Sequence, residues 1–269
     1  MSTKAPLALA LIQMASTPDV EENVAAVERW LDPLRGECDL AVFPENVFCL
    51  GSAASIRDAA LGIDEWIGRL GPLTARGDFS VLFGSVPVRI PDGGVVNSSL
   101  LMAPSGRCTA RYDKIHLFQL NPFFCHETAA AEIYTAGSRP VAVRIRGWTL
   151  GLSICYDLRF PELYRGMGVL DALICPAAFT RRTGEAHWSL LLRARAVENQ
   201  CFAVGVGQCG RNTETGVDLY GHSLVADPWG EVLTEASADG EEVLFAELQR
   251  ERLNEVRERL PALRNRRLR

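Results

Sequence analysis

The sequence predicts an α/β protein in which helices and strands form a layered sandwich with a mixed sheet. Short apolar runs of strand length alternate with amphipathic helical segments along the chain, which is typical of α/β folds. Hairpin-like strand pairs follow, so both parallel and antiparallel neighbours are expected. No repeat, linker or low-complexity segment is visible. We therefore predict one domain over residues 1–269, with a C-terminal tail over about residues 250–269.

The N-terminal half is predicted to contain five strands and two helices. Val20, Val24, Val27 and Leu31 recur at steps of three and four residues after the start signal Asp19, which predicts an amphipathic helix over residues 19–34. A similar apolar stripe predicts a second helix over residues 55–70. The predicted strands cover residues 7–13, 38–43, 79–88, 95–103 and 107–114.

The C-terminal half begins with a segment that lacks clear periodicity, residues 118–139, which we interpret as a long functional loop. Predicted strands then cover residues 141–145, 148–154, 170–175, 201–208, 219–226, 232–235 and 243–248. Pro176 is expected to stop the strand that precedes it. Helices are predicted over residues 185–199 and 250–260, and Pro261 ends the second of these.

Composition and charge exclude several classes of partner. Hydrophobic residues make up 48% and charged residues 23%, which is ordinary for a soluble enzyme. The net charge of −5 offers no attraction to nucleic acid or to an anionic membrane, and no apolar run reaches the length of a membrane span. The N-terminus lacks a secretory signal pattern. We therefore expect a cytoplasmic protein whose eight cysteines are reduced.

No metal site is predicted. A zinc site built from Cys125, His126, Cys209 and His222 is conceivable because these side chains are zinc ligands in other proteins. Their spacing fits no metal-binding pattern, and none of the cysteines forms a C-x-x-C pair.

Cys155 lies where a strand is expected to end, shortly before a helix begins. The apolar run 148–154 ends at Cys155, and Pro161 marks a helix start, since proline is tolerated in the first turn. A thiol held at such a turn faces a cleft, with backbone N–H groups nearby to stabilise an oxyanion. The alternative is a small apolar cysteine buried at a strand end.

Two further strand ends carry polar residues that fit the same chemistry. Glu45 follows the strand 38–43, and Lys114 ends the strand 107–114. Active-site groups of α/β folds cluster outside strand ends, and amide hydrolysis through a thiol needs a base and an oxyanion stabiliser. Glu45 could instead cap a helix, and Lys114 could be a solvated strand-end lysine.

The segments around these three residues resemble a known family. FPEN around Glu45, RYDKIHLF around Lys114 and ICYDLRFPELYR around Cys155 are similar, in the same order, to the signature segments of the nitrilase superfamily of carbon–nitrogen hydrolases. The resemblance implies a four-layer-forming αββα sandwich with mixed sheets and no metal or organic cofactor. It also implies a homodimer or larger homo-oligomer that assembles across an αββα–αββα interface.

The same resemblance implies roles for the site residues. Glu45 would be the general base and acid, Lys114 the oxyanion stabiliser and Cys155 the nucleophile. A second glutamate of the family, which orients the lysine and the substrate, matches Glu127 best, with Glu132 as the competing candidate. Glu127 precedes the next glycine by a longer interval than the family pattern, so either glutamate could be a solvated loop carboxylate.

Residues 176–212 and 220–232 resemble the branch that contains deaminated glutathione amidases and ω-amidases, which implies a linear amide substrate that carries a carboxylate. Guanidinium groups bind carboxylates, so Arg181, Arg182 and Arg159 are candidate substrate-binding residues. The first two could be surface arginines, and Arg159 could be structural. The Tyr156 N–H is a candidate oxyanion donor, and His187 is expected to shape the pocket.

The predicted function is therefore hydrolysis of a carboxylate-bearing amide to an acid and ammonia through a thioester. Three alternatives remain open. The same fold could act as an ω-amidase on α-keto acid amides, or it could hydrolyse nitriles or N-carbamoyl amides. The chain could also be a binding protein that retains the fold without turnover.

Overall fold

Two six-stranded sheets form the centre of the protein. The computed structural model describes residues 5–119, 132–238 and 240–268. The first sheet has the order β12-β1-β2-β3-β4-β5. Its strands are β1 (Leu7–Gln13), β2 (Leu40–Val42), β3 (Ser80–Arg89), β4 (Val95–Met102), β5 (Cys108–Asp113) and β12 (Glu242–Leu248). The strands β1, β2 and β3 are parallel neighbours, and the outer pairings are antiparallel, so the sheet is mixed.

The second sheet repeats this plan with the order β11-β10-β9-β8-β7-β6. Its strands are β6 (Val141–Ile145), β7 (Trp148–Leu152), β8 (Ala172–Ala177), β9 (Phe202–Gly207), β10 (Leu224–Ala226) and β11 (Val232–Glu235). The central strands β7, β8 and β9 are parallel, and the remaining pairings are antiparallel.

Helices cover the outer faces of both sheets. Among the described residues the helices are α1 (Val20–Leu31), α2 (Ala53–Asp58), α3 (Ile63–Thr74), α4 (Pro161–Gly166), α5 (Arg181–Asn199) and α6 (Arg250–Arg259). The outer faces are covered by α1 and α3 on the first sheet and by α5 on the second. Val27 of α1 and Trp66 of α3 pack into one cluster with the outer face of the first sheet, and Trp188 of α5 packs with the second sheet. Together with the two sheets, these helices form the predicted αββα sandwich, so the predicted fold class is confirmed.

The two sheets are held together by an apolar core between them. Leu9 and Leu11 of the first sheet share one cluster with Leu150, Leu152 and Ile174 of the second, and all five are essentially inaccessible to solvent. Burial of each such side chain stabilises the fold by about 1.5–3 kcal/mol relative to exposure. The core therefore fixes the positions of the strand ends that carry the site.

The predicted helix over residues 55–70 is wrong, because the segment contains two helices, α2 and α3. Leu61 lies between them and bonds to the edge of β3, where the Arg89 N–H donates to the Leu61 carbonyl at 2.8 Å. The chain then restarts as α3 at Gly62, whose N–H donates to the Glu65 side chain at 2.7 Å. A tertiary hydrogen bond thus overrides the helical pattern of the sequence.

Two strand boundaries also differ from the sequence prediction. Pro176 does not stop β8, which continues to Ala177. The neighbouring β7 pairs with β8 only as far as Ile174, so Pro176 pairs with β9 alone. The missing N–H of Pro176 is tolerated because β8 has no partner strand on its other side at this position. The predicted strand over residues 219–226 shortens to β10, because Gly221 and His222 adopt left-handed backbone angles with φ of 68° and 51°.

The C-terminal tail begins with α6, which packs on the rest of the fold. Leu253 and Val256 of this helix are buried, and the Arg257 guanidinium donates to the backbone carbonyl of Gln200 at 3.0 Å. No helix within the described ranges has the length and apolar character that a membrane crossing needs.

Candidate active site

Glu45, Lys114 and Cys155 line one cavity of about 700 Å³. Glu45 follows β2 and Lys114 follows β5 in the first sheet, while Cys155 follows β7 in the second. The three residues come from distant parts of the sequence, and the packing of the two sheets brings their strand ends to the same cavity. The arrangement provides a carboxylate, an ammonium group and a thiol at one place.

Glu45 and Lys114 form a buried ion pair. The Lys114 Nζ donates to Glu45 Oε1 at 2.7 Å, and the two residues are only 2% and 4% exposed. Burial alone lowers the pKa of the Lys114 ammonium, but the charge of Glu45, the hydrogen bond to Glu45 and the charge of Asp157 raise it above its ordinary value. The ion pair with Glu45 therefore favours the charged form of Lys114.

Three other donors fix Glu45. The Asn97 amide donates to Oε1 at 3.0 Å, the Ala178 backbone N–H donates to Oε2 at 3.0 Å, and the Gln208 amide donates to the Glu45 carbonyl at 2.9 Å. A carboxylate buried among such donors is held in one orientation. Its position is thus set by both sheets, since Asn97 lies on β4 and Ala178 follows β8.

Cys155 occupies a strained turn. Its φ of 50° lies in the left-handed region, and it begins a short 3-10 helix over Cys155–Arg159 that leads to Pro161 at the start of α4. For a residue with a Cβ this conformation costs about 1–2 kcal/mol. The predicted sequence of strand, sharp turn and helix is present, and it turns the thiol toward the cavity.

The Cys155 thiol is protonated in this environment at neutral pH. Burial raises the pKa of the thiol well above its ordinary value, and the charge of Glu45 raises it further. The ammonium of Lys114 and the backbone N–H of Ala178 oppose this shift and lower the pKa. The thiol therefore needs a base to take its proton, and Glu45 lines the same cavity.

Arg159 also lines the cavity, where two aromatic rings hold its guanidinium. Its Cζ lies 5.6 Å from the centre of the Tyr156 ring and 5.5 Å from the centre of the Phe179 ring, both within the range of cation–π contacts. Its Nη1 is 3.3 Å from Nδ1 of His187. Arg159 thus presents a positive charge to whatever occupies the cavity.

The sequence-family model described as carbon–nitrogen hydrolase matches residues 8–258 of the chain. The chain belongs to the carbon–nitrogen hydrolase family. Deaminated glutathione amidase of Synechocystis sp. is 36% identical over 97% of this chain and 98% of its own length. Omega-amidase NIT3 of Saccharomyces cerevisiae is 31% identical over 96% of this chain and 92% of its own length. These matches confirm the resemblance and the predicted enzyme class.

Solved structures of relatives have the same fold as this carbon–nitrogen hydrolase. Saccharomyces cerevisiae Nit3, a member of branch 10 of the nitrilase superfamily, superposes with a TM-score of 0.86 at 28% identity, covering 99% of this chain and 98% of Nit3. The Caenorhabditis elegans NitFhit protein superposes with a TM-score of 0.89 at 32% identity, covering 98% of this chain and 66% of that protein.

The remaining predicted site residues of the hydrolase lie in different places. Among the described residues, the cavity lining includes Tyr156 and Arg159 but not Arg181, Arg182 or His187. Arg181 and Arg182 form the first turn of α5, which begins four residues earlier than the sequence predicts. They were expected to face the cleft beside the end of β8, but they are not part of its described lining. His187 does not line the cavity, and its Nδ1 lies 3.3 Å from Nη1 of Arg159.

The accessory glutamate is not located. Glu127 lies outside the described residues. Glu132 is exposed, and the described lining of the cavity includes Ile133 and Tyr134 but not Glu132. Cys125 and His126 of the conceivable zinc site also lie outside the described ranges. Within those ranges, no three His, Cys, Asp or Glu side chains cluster as a metal site would require.

Sequence reasoning missed Asn97 and Ala178, which hold the Glu45 carboxylate of the hydrolase. Asn97 carried a usable signal, because an amide side chain that follows Val95 and Val96 within a predicted strand needs a hydrogen-bond partner if it is buried. Ala178 carried none, since its contribution is a backbone N–H. Gln208 lies within the segment 176–212 that resembles the branch, but only the fold shows its contact with Glu45.

Proposed function

We propose that this hydrolase is an amidase that cleaves a linear, carboxylate-bearing amide through a thioester on Cys155. The observation that carries the proposal is the 2.7 Å ion pair of Glu45 and Lys114 in the same cavity as Cys155. A base, a fixed cation and a protonated thiol are the groups that amide hydrolysis through sulfur requires.

In the first step, the Cys155 sulfur attacks the amide carbonyl carbon while Glu45 takes the thiol proton. The carbonyl oxygen becomes an oxyanion, which the Lys114 ammonium and the Tyr156 backbone N–H stabilise. Lys114 has three N–H donors and needs only one for Glu45. Tyr156 lies in the first turn of the 3-10 helix, where backbone N–H groups have no partner within the helix itself.

In the second step, Glu45 returns the proton to the amide nitrogen, the carbon–nitrogen bond breaks and the amine leaves. The remaining acyl group is a thioester on Cys155. A water molecule then attacks the thioester while Glu45 takes a water proton, and the carbon–sulfur bond breaks as that proton passes to sulfur. The acid departs and the thiol is restored, so Glu45 acts as base and acid in turn.

Arg159 is the proposed receptor for the substrate carboxylate. Its guanidinium lies between two aromatic rings at the cavity wall, a position from which it can form charge-assisted hydrogen bonds to a carboxylate. Relatives that are named deaminated glutathione amidase or omega-amidase support this substrate class. Both names denote hydrolysis of an amide, which is the reaction proposed for this site.

Amide, nitrile and N-carbamoyl substrate panels with and without a terminal carboxylate test the proposal by the acid and amine released. Mass spectrometry of wild-type protein quenched with a slow amide should find the acyl group on Cys155. An acyl adduct on another cysteine, or no turnover of any amide, would contradict the proposal.

We further propose that the hydrolase is a cytoplasmic homodimer or larger homo-oligomer. Leu190 and Val197 lie seven residues apart on α5, so they share one face of the helix, and they are 63% and 45% exposed. Trp229 is 44% exposed, and the adjacent Gly230 lies against Val197. Sedimentation of wild type and Leu190→Glu tests self-association, and an unchanged sedimentation coefficient for the variant would contradict this use of the face.

A further inference from the structure

Asp157 is a buried carboxylate that the proposed mechanism does not use. It lies in the 3-10 helix two residues after Cys155 and is inaccessible to solvent. Its Oδ2 accepts from the Ile154 backbone N–H at 2.9 Å and from the Tyr112 hydroxyl at 2.7 Å. Its Oδ1 accepts from the His116 backbone N–H at 2.9 Å and lies 2.7 Å from His116 Nδ1.

These contacts come from two segments that carry the proposed catalytic groups. Ile154 directly precedes Cys155, whereas Tyr112 and His116 lie two residues before and two residues after Lys114. The carboxylate therefore bridges the turn of the nucleophile in the second sheet to the strand end of the lysine in the first. The His116 ring is further fixed by stacking on Phe160 at 3.7 Å.

The charge of Asp157 acts on the site as well. The four donors stabilise the ionised form of the Asp157 carboxylate, because both of its oxygens then accept hydrogen bonds. Its negative charge adds to that of Glu45 in raising the pKa of the Lys114 ammonium. Burying a charge costs free energy unless hydrogen bonds satisfy all of its lone pairs. An apolar contact would join the two segments at a lower free-energy cost.

We propose that Asp157 is a positioning residue that holds the Cys155 sulfur in register with the Lys114 ammonium. This inference rests on the proposed function of those two groups. Loss of the bridge lets the turn of Cys155 shift relative to the end of β5. A displacement of about 1 Å between reacting groups costs about 100-fold in rate, so the effect appears in kcat. Arg159 is also held from outside this turn by Phe179 and His187, which keeps substrate binding near that of wild type.

The test is Asp157→Asn. The substitution keeps the shape of the side chain but replaces one acceptor oxygen with an NH2 group, which then faces two donors. We expect kcat to fall about 100-fold with KM unchanged within about threefold. Because Lys114 lowers the pKa of the Cys155 thiol, moving the thiol away from Lys114 raises that pKa, and we also expect alkylation of Cys155 by iodoacetamide at pH 8 to be slower than in wild type.

Asp227→Asn is the matched control. Asp227 is 1% exposed and accepts from the backbone N–H groups of Trp229 and Glu231 at 2.9 Å and from Arg252 at 2.7 Å, in the turn between β10 and β11. Its substitution lowers thermal stability without changing kcat per folded molecule or the alkylation rate. An Asp157→Asn protein that matches this control after correction for the folded fraction would overturn the inference.

Tyr112→Phe keeps the test decisive if Asp157→Asn does not fold. It removes one of the four donors, so we expect a loss of about tenfold in kcat with unchanged KM, the effect of about one hydrogen bond to a charged group. If Asp157→Asn does not fold and Tyr112→Phe has the same kcat and the same alkylation rate as wild type, the inference is overturned. The alkylation rate is measured without substrate. If wild-type protein turns over no amide, that result contradicts the proposed function, and the alkylation rates of the variants still test the bridge.

Discussion

The two sheets have the same strand plan but supply the site with different kinds of group. The first sheet supplies the charges, and their side chains hold one another, since Lys114 and Asn97 both donate to Glu45 Oε1 at 2.7 and 3.0 Å. The second sheet supplies the thiol, which its backbone positions through the left-handed turn at Cys155 with φ of 50°.

This difference indicates two ways of building a reactive site. The charges of Glu45 and Lys114 are stable as a pair, so a change in one alters the electrostatics of the other. Cys155 depends on the geometry of its turn. Substitutions in the first sheet should therefore change proton transfer and pKa values, whereas substitutions in the second should change the position of the Cys155 thiol.

The largest effect is expected for Cys155→Ala, which removes the second sheet's contribution. Without the sulfur no thioester forms, and we expect no amide turnover above background. Cys175→Ala is the matched control, because its Sγ lies 3.9 Å from the Cys155 carbonyl in the same core. Amine release measured for both variants tests this, and turnover by Cys155→Ala would exclude Cys155 as the nucleophile.

Glu45→Gln removes the charge that the first sheet supplies and should lower kcat about 1000-fold, the range for loss of a general base. The same change should move Cys155 alkylation in the opposite direction. The Glu45 carboxylate raises the pKa of the thiol, so its loss lowers that pKa and increases the thiolate fraction at a given pH below it. Iodoacetamide alkylation should therefore accelerate while turnover falls.

Glu214→Gln is the control for this pair of measurements. Glu214 lines the same cavity, but its carboxylate accepts from the Ser52 N–H at 2.6 Å and from the Ser55 hydroxyl. We expect its kcat and its alkylation profile to stay near those of wild type. Slower alkylation in Glu45→Gln would show that the two sheets are not coupled through the pKa of the thiol.

Arg159→Met should lower kcat/KM for carboxylate-bearing amides about 50-fold, mainly through KM. A hydrogen bond to a charged group contributes about 1.5–3 kcal/mol, and uncharged amides should lose little. Arg182→Met is the matched control, since the described cavity lining does not include Arg182. Equal losses for charged and uncharged amides would contradict the role of Arg159 as carboxylate receptor.

The smallest effect is expected for Asn97→Leu. The variant removes one donor to Glu45, so kcat should fall about tenfold. Among the described residues, Asn97 Oδ1 is buried without a hydrogen-bond partner, so its loss offsets part of the cost to stability. Thermal unfolding and kcat together check this. A wild-type kcat would show that Lys114 and Ala178 suffice to orient Glu45.

The sequence predicted most of the fold because local patterns carry it. The apolar periodicity of α1, the buried runs of β1 and β7 and the proline at the start of α4 each act within a few residues. The errors arose where a distant segment intervened. Leu61 is drawn to the edge of β3 and divides one predicted helix into two, and a missing neighbour lets Pro176 remain in β8.

The sequence by itself determined that Glu45, Lys114 and Cys155 lie at strand ends, because the end of each strand can be read from the pattern of apolar residues. Only the tertiary structure decided that Arg159 and not Arg182 lines the cavity. It alone also decided that Asn97 and Ala178 hold the Glu45 carboxylate. These contacts join residues far apart in the chain, and sequence periodicity describes only which face of an element is buried, not which distant group meets it there.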